Sequence, residues 1–102
     1  MKMTETQKKD WDLKVMNAEL GGNAPCLDLH GRTQMEAETL IDQFLSREFY
    51  AGTEVVKIEH GRGTGAMQKL AEREVSAHPL VLFWRKSESP RELGSAIYCV
   101  LS

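Results

Sequence analysis

No stretch of this chain approaches the roughly 18 to 20 consecutive apolar residues that a helix needs to cross a bilayer, so no membrane-spanning helix is expected. Residues Met1–Asp10 are polar and hold no apolar h-region, so no secretory leader is read there and a cytoplasmic location is the expectation. Cysteine is scarce: two among 102 residues, with no CxxC pair and no HExxH, so the familiar zinc spacings are absent. Cys26 and Cys99 both sit in apolar, strand-like surroundings and read as buried free thiols, not as a disulfide or a metal pair. An excess of positive charge is missing too. Thirteen Lys and Arg against fifteen Asp and Glu leave a net charge of −2, which excludes capture of nucleic acid by overall charge. A local basic patch is what remains for phosphate contacts, with modest and salt-sensitive binding.

What is present reads as one small globular domain. A chain of 102 residues has room for one core, and 41% hydrophobic with 27% charged residues is ordinary for a soluble fold. Over Met3–Leu20, Trp11, Val15 and Ala18 recur at i, i+4 and i+7, with Leu13, Met16 and Leu20 close to that face. This spacing predicts a helix across an edge of the domain. Gly21-Gly22-Asn23-Ala24-Pro25 then breaks the chain, dividing it into an extension over 1–24 and a domain over 25–102.

From Cys26 onward the pattern is regular. Cys26–His30 alternates as a short strand, with Leu27 and Leu29 on one face and Asp28 and His30 on the other. Thr33 and Glu36 form a capping box ahead of a helix whose apolar stripe is Ala37, Leu40, Ile41, Phe44 and Leu45. Its outer face carries Glu36, Glu38, Asp42 and Glu48, which would repel phosphate. Glu54–His60 is a β-branched strand and leads into Gly61-Arg62-Gly63-Thr64-Gly65. A second helix follows on Met67, Leu70, Ala71 and Val75, stopped by His78-Pro79; strands over Leu80–Arg85 and Ser95–Leu101 close the chain. The order β-α-β-α-β-β predicts a two-layer α/β sandwich. Its mixed four-stranded sheet is parallel first and ends in an antiparallel hairpin. Two helices cover one sheet face at most, leaving the other for a partner or for the amino-terminal segment.

Polar residues gather where the first two strands end, the place where open α/β sheets bind ligands. Asp28 and His30, spaced i, i+2, project from one side about 7 Å apart along a strand. His60 ends the second. Two imidazoles and a carboxylate could supply base, acid and orienting group; equally, such residues often serve only a turn. The glycine turn opens a helix, so its backbone amides favour an anion, and Arg62 adds fixed positive charge. Gly61-x-Gly63-x-x-Ala66 formally fits a dinucleotide fingerprint, but the chain has too few βα units for a dinucleotide fold. Arg32, Lys69, Arg73, Arg85, Lys86 and Arg91 offer a basic track. Trp84 alternates with Phe83, so one of the pair faces away from the helices and either stacks a base or packs under the amino-terminal helix.

Leu27-Asp28-Leu29-His30-Gly31 and His60-Gly61-Arg62-Gly63-Thr64-Gly65 match the LDLHG and HGxGTG signatures of Smr (small MutS-related) domains. With an amphipathic helix between the two motifs, the chain resembles that family over about residues 26 to 101. The resemblance implies a fold like the carboxy-terminal domain of bacterial initiation factor three, and DNA nicking or RNA endonuclease activity. Relatives that keep a histidine where His30 stands are the better nuclease candidates, and some members are implicated in cutting mRNA on collided ribosomes. Two departures stand out: no mismatch-repair ATPase or ubiquitin-binding region accompanies the motifs, and the last strand enters through Leu93-Gly94-Ser95-Ala96 instead of a glycine-rich run.

The expected activity is metal-independent RNA cleavage by a monomer. His30 is general base on a ribose 2′-OH, with Asp28 orienting it and His60 as complementary acid or strand-end residue. Arg62 and the backbone of Gly63, Thr64 and Gly65 hold the phosphate, with Arg32 and Lys69 alongside. Mg or Mn assistance is the alternative, disfavoured because one carboxylate alone is placed at the site. The rival functions are a module that grips RNA, branched DNA or the ribosome without cutting, and a protein adaptor using the open sheet face.

Overall fold

The computed structural model describes residues 3–102, so the first two residues of the expected extension lie outside the described part. Helix α1 (Glu5–Gly21) starts at a capping box. The Gln7 amide donates to the Thr4 hydroxyl at 3.1 Å, and the Thr4 amide donates to the Gln7 side chain at 2.9 Å. Gly22, in the left-handed region at φ 67°, ends it by returning its N–H to the Ala18 carbonyl. The main body follows as β1 (Cys26–Asp28), α2 (Gln34–Tyr50), β2 (Val55–Glu59), α3 (Ala66–Ala77), β3 (Phe83–Lys86) and β4 (Ala96–Val100).

The four strands form one mixed sheet in the order β1-β2-β4-β3. β1 pairs parallel to β2, with Leu27 opposite Ile58 and Asp28 opposite Glu59. The expected closing hairpin forms, and β4 enters the sheet between β2 and β3, antiparallel to both. All five residues of β4 are buried, as a central strand covered on both faces requires. Its side chains divide by parity: Ile97 and Cys99 join the core under α2 and α3, while Tyr98 and Val100 turn the other way.

The main core packs α2 and α3 onto one sheet face through Leu29, Ile41, Leu45, Val56, Ile58, Leu70 and Val75. The opposite face is covered by α1. Val15 is fully buried with Phe83, Tyr98 and Val100, and the Trp11 ring stacks on Phe83 with centroids 5.7 Å apart. Of the aromatic pair in β3, Phe83 therefore faces α1 and Trp84 packs against the main core.

Several local expectations change. Leu13, Met16 and Leu20 are exposed at 54, 46 and 81%. Each lies about 100° or more around the helix from its neighbour on the Trp11–Val15–Ala18 stripe, outside the narrow strip that one helix can bury on a sheet. Cys99 is buried as expected, but Cys26 is exposed. Burial pushes the Cys99 thiol well above its ordinary range. β3 starts at Phe83 instead of Leu80 because His78 captures the preceding segment in a turn: its carbonyl accepts from the Val81 amide and its Nδ1 from the Leu80 amide.

Val15→Ala should cost about 1–3 kcal/mol of stability, the scale for uncovering one buried aliphatic side chain. Leu20→Ala should change stability by less than about 0.5 kcal/mol. Urea unfolding of the two variants checks this; equal effects would mean that α1 does not dock through Val15.

Candidate functional site

The pairing of β1 with β2 brings two chain exits to the same sheet edge. Beyond Asp28 and Glu59 the ladder continues by one bond, Leu29 N–H to the Glu59 carbonyl at 2.9 Å, and then both chains turn into helices. The first exit runs through His30 and Gly31 to Thr33, the second through His60 and the glycine turn to Gly65. Between them lies a cleft of about 630 Å³, lined by residues 29–34 from one exit and 60–67 from the other.

Each exit is shaped by its own sequence. Asp28 accepts the His30 amide on Oδ1 at 2.8 Å, which ends β1 at Asp28 and puts His30 in a turn. His30 thus lies beyond the strand and lines the cleft, while Asp28, the last residue of β1, is outside the lining. Gly31 then takes φ 75°. Thr33 and Glu36 build the expected capping box on α2: Glu36 N–H to the Thr33 hydroxyl at 3.1 Å, Thr33 N–H to the Glu36 carboxylate at 2.9 Å. In the second exit Gly61, Gly63 and Gly65 all have positive φ (80°, 38° and 89°), conformations that a side chain would strain. Gly65 caps α3 with no side-chain hydrogen bond, and the amides of Gly63, Thr64 and Gly65 have no acceptor among the described residues. Thr64 reaches only the Ala66 amide, at 3.4 Å.

His60 is buried, at 7% exposure, and its Nδ1 lies 2.6 Å from the Gly61 carbonyl. A carbonyl can only accept, so Nδ1 carries the proton and Nε2 is the ring nitrogen left for chemistry. His30 is exposed, with no ring partner among the described residues.

The charged side chains that line the cleft are cationic. The Glu36 carboxylate stands just outside the lining, on the Thr33 amide and near enough to Arg32 for both to hold its pKa down. Arg32, Arg62, His30 and His60 line the cleft, and no carboxylate does. The amino termini of α2 and α3 open onto it, adding positive dipole ends and free amides. Arg32 and Arg62 have no ion-pair partner among the described residues. Lys69 is exposed on α3 but lies outside the lining. The other expected basic residues are engaged elsewhere: Arg73 with Glu38 at 3.3 Å, Arg85 with Glu19 at 2.8 Å and Asp12 at 3.2 Å, Lys86 near Glu72. Arg91 is exposed in the β3–β4 loop.

Sequence reasoning missed two contributors. One is the start of α2, where Thr33 and Gln34 line the cleft; the Thr33–Glu36 capping box directly after the first motif was the available signal. The other is the β3–β4 loop. Arg62 donates from Nε to the Leu93 carbonyl at 3.1 Å, which leaves its two terminal nitrogens unengaged. That loop is anchored by Glu92, whose carboxylate accepts from Lys57 Nζ at 2.5 Å, Tyr98 Oη at 2.9 Å and Ser87 Oγ at 2.9 Å. Burial pushes the Glu92 carboxyl up, but the Lys57, Tyr98 and Ser87 bonds outweigh it and hold it below the ordinary 4.5. Glu19 of α1 is held below its ordinary value in the same way: burial raises it, and bonds from Arg85, the Glu88 amide and Ser87 lower it further.

Among known proteins, the sequence model of the Smr domain family matches residues 27–102. Curated relatives include proteins named Endonuclease MutS2. That of Helicobacter pylori is 37% identical over 70 residues, covering 69% of this chain and 9% of the relative. That of Staphylococcus carnosus is 41% identical over 71 residues, covering 70% and 9%. The chain therefore spans less than a tenth of the length of these relatives. Among solved structures, the Smr domain of Thermus thermophilus MutS2 superposes with a TM-score of 0.72 at 26% identity, covering 78% of this chain and 99% of that one. YdaL, a stand-alone small MutS-related protein from Escherichia coli, gives 0.72 at 21% identity, covering 85% and 73%; it bears on the fold alone.

The depressed Glu92 and Glu19 carboxyls make stability acid-sensitive. A carboxyl whose folded pKa lies below its unfolded value stabilises fully above about pH 4.5, and that stability is lost as pH falls through the folded pKa. Denaturant midpoints should therefore fall as the pH is taken below about 4.5. Glu92→Gln should shallow that drop, and an unchanged acid limb in the variant would remove Glu92 as the loop's anchor.

Proposed function

The chain belongs to the Smr domain family, and from that premise we propose that it is an RNA endonuclease working by histidine acid–base chemistry. The observation that carries the reading is the cleft: two helix amino termini, open glycine amides and two unpaired guanidinium groups surround a space that also holds two imidazoles and no carboxylate. Such a site favours a phosphate and stabilises the extra negative charge that gathers on it during displacement. The relatives named endonuclease support cleavage over simple binding.

The reaction runs by attack of a ribose 2′-oxygen on the adjacent phosphorus. His30 takes the 2′-hydroxyl proton as the O2′–P bond forms; the P–O5′ bond breaks, and the departing 5′-oxygen takes a proton from His60 Nε2. His60 Nδ1–H donates to the Gly61 carbonyl, which fixes the ring and leaves Nε2 to face the reacting atoms. Asp28 acts through the backbone, holding the His30 turn in place. Arg62, steadied by Leu93, and the amides of Gly63–Gly65 grip the phosphate oxygens, with Arg32 across the cleft. The scheme moves protons through imidazoles alone, and the chelator experiment below separates it from Mg or Mn assistance. The burial of His60 favours one other reading, a module of the same phosphate preference that binds RNA without cutting it.

Incubation with labelled RNA and supercoiled plasmid separates these readings. Cleavage should persist in excess EDTA and leave a 5′-hydroxyl beside a 2′,3′-cyclic phosphate, and a 2′-deoxy nucleotide at the cut site should block it. His30→Ala should lower the rate at least ~100-fold with unfolding unchanged, since the side chain is exposed. Loss in EDTA restored by Mg or Mn, together with plasmid nicking, contradicts the scheme. Tight RNA binding with no cleavage supports the binding module.

A further inference from the structure

Beside the cleft, α2 carries a second hollow of about 330 Å³, walled by Arg32, Met35, Glu36, Thr39 and Leu40. Met35 with Thr39, and Glu36 with Leu40, are i, i+4 pairs, so the wall runs along about one turn from the helix start. Arg32 lines both the hollow and the cleft, so the two spaces are neighbours that meet at this residue. Met35 is 81% exposed, too exposed to serve the core, and its unbranched thioether suits contact with a flat aromatic face. Half-buried Leu40 adds apolar surface. Glu36 puts a carboxylate on this wall, with its Oε1 accepting from the Thr33 amide at 2.9 Å, and its negative charge disfavours a second phosphate there. A largely apolar hollow thus adjoins, at one arginine, a cleft that favours phosphate.

We propose that this hollow is a nucleobase subsite: an unpaired base lies against Met35 and Leu40 while its own strand's phosphate occupies the cleft and Arg32 spans the two. A nucleotide is the ligand that joins a phosphate to a flat, largely apolar ring, and a base inside a duplex reaches the helix only at the cost of unstacking and unpairing, which an unpaired base does not bear. The subsite therefore selects single-stranded or looped RNA. It rests on the phosphate-binding reading of the cleft.

Fluorescence anisotropy tests it with a short single-stranded RNA, 2′-deoxy at every nucleotide that would be cut, and with versions in which one abasic residue is stepped along the strand. One abasic position should weaken wild-type binding about threefold to tenfold. Met35→Ala should weaken the intact RNA by a similar factor and lose nothing more at that position, whereas Met35→Leu should restore much of the affinity. Independent losses at every abasic position, or full affinity in Met35→Ala, overturn the subsite while leaving the cleft as phosphate site. Failure of the wild-type protein to bind any RNA overturns the cleft reading and the subsite with it. Met35 is too exposed for its truncation to unfold the chain, so a folded Met35→Ala protein makes each result decisive.

Discussion

Parallel pairing of β1 with β2 is the constraint on which the site depends. Asp28 stands opposite Glu59, so the two chains leave the sheet at one level, and each must cross over into a helix on the same face because that is where the apolar core lies. The amino termini of α2 and α3 consequently start at one edge. A slip of one residue in β2 would turn Val56 and Ile58 out of the core and move the glycine turn away from His30. Burial of Leu29, Val56, Ile58 and Ile97 therefore sets the geometry of a polar cleft that none of them forms by charge.

Charge is sorted by side. On the α1 face, Lys57, Arg85, Asp12, Glu19 and Glu92 neutralise one another within half-buried contacts that join helix, sheet and loop. On the strand-end face, Arg32 and Arg62 are left without carboxylate partners. A chain with a net charge of −2 can in this way present a cationic pocket. The two sides meet at the β3–β4 loop, where the residue that anchors to the sheet, Glu92, precedes the residue whose carbonyl steadies Arg62.

Local chemistry made much of this legible. The Thr33–Glu36 box, the Gly61–Gly65 turn and the apolar stripes of α2 and α3 are short-range patterns, and the structure contains each of them. Errors arose where a side chain competed with the backbone: Asp28 ended β1 early, and His78 delayed β3. The insertion of β4 between β2 and β3, and the Lys57–Glu92 bond spanning 35 positions, have no local signature. Nor could spacing alone show that His30 leaves the strand after Asp28, because that depends on one hydrogen bond to an amide two residues on.

The central claim is that phosphate is held at the strand-end cleft by the two helix amino termini. Its most direct test is a titration of nitrogen-15-labelled protein with uncleavable single-stranded RNA, followed by amide chemical shifts. The account predicts the largest shifts at residues 30–34 and 61–67, fading as salt is raised. Shifts centred on the outer face of α1, around Leu13, Met16 and Leu20, with Gly63–Gly65 unmoved, would contradict it.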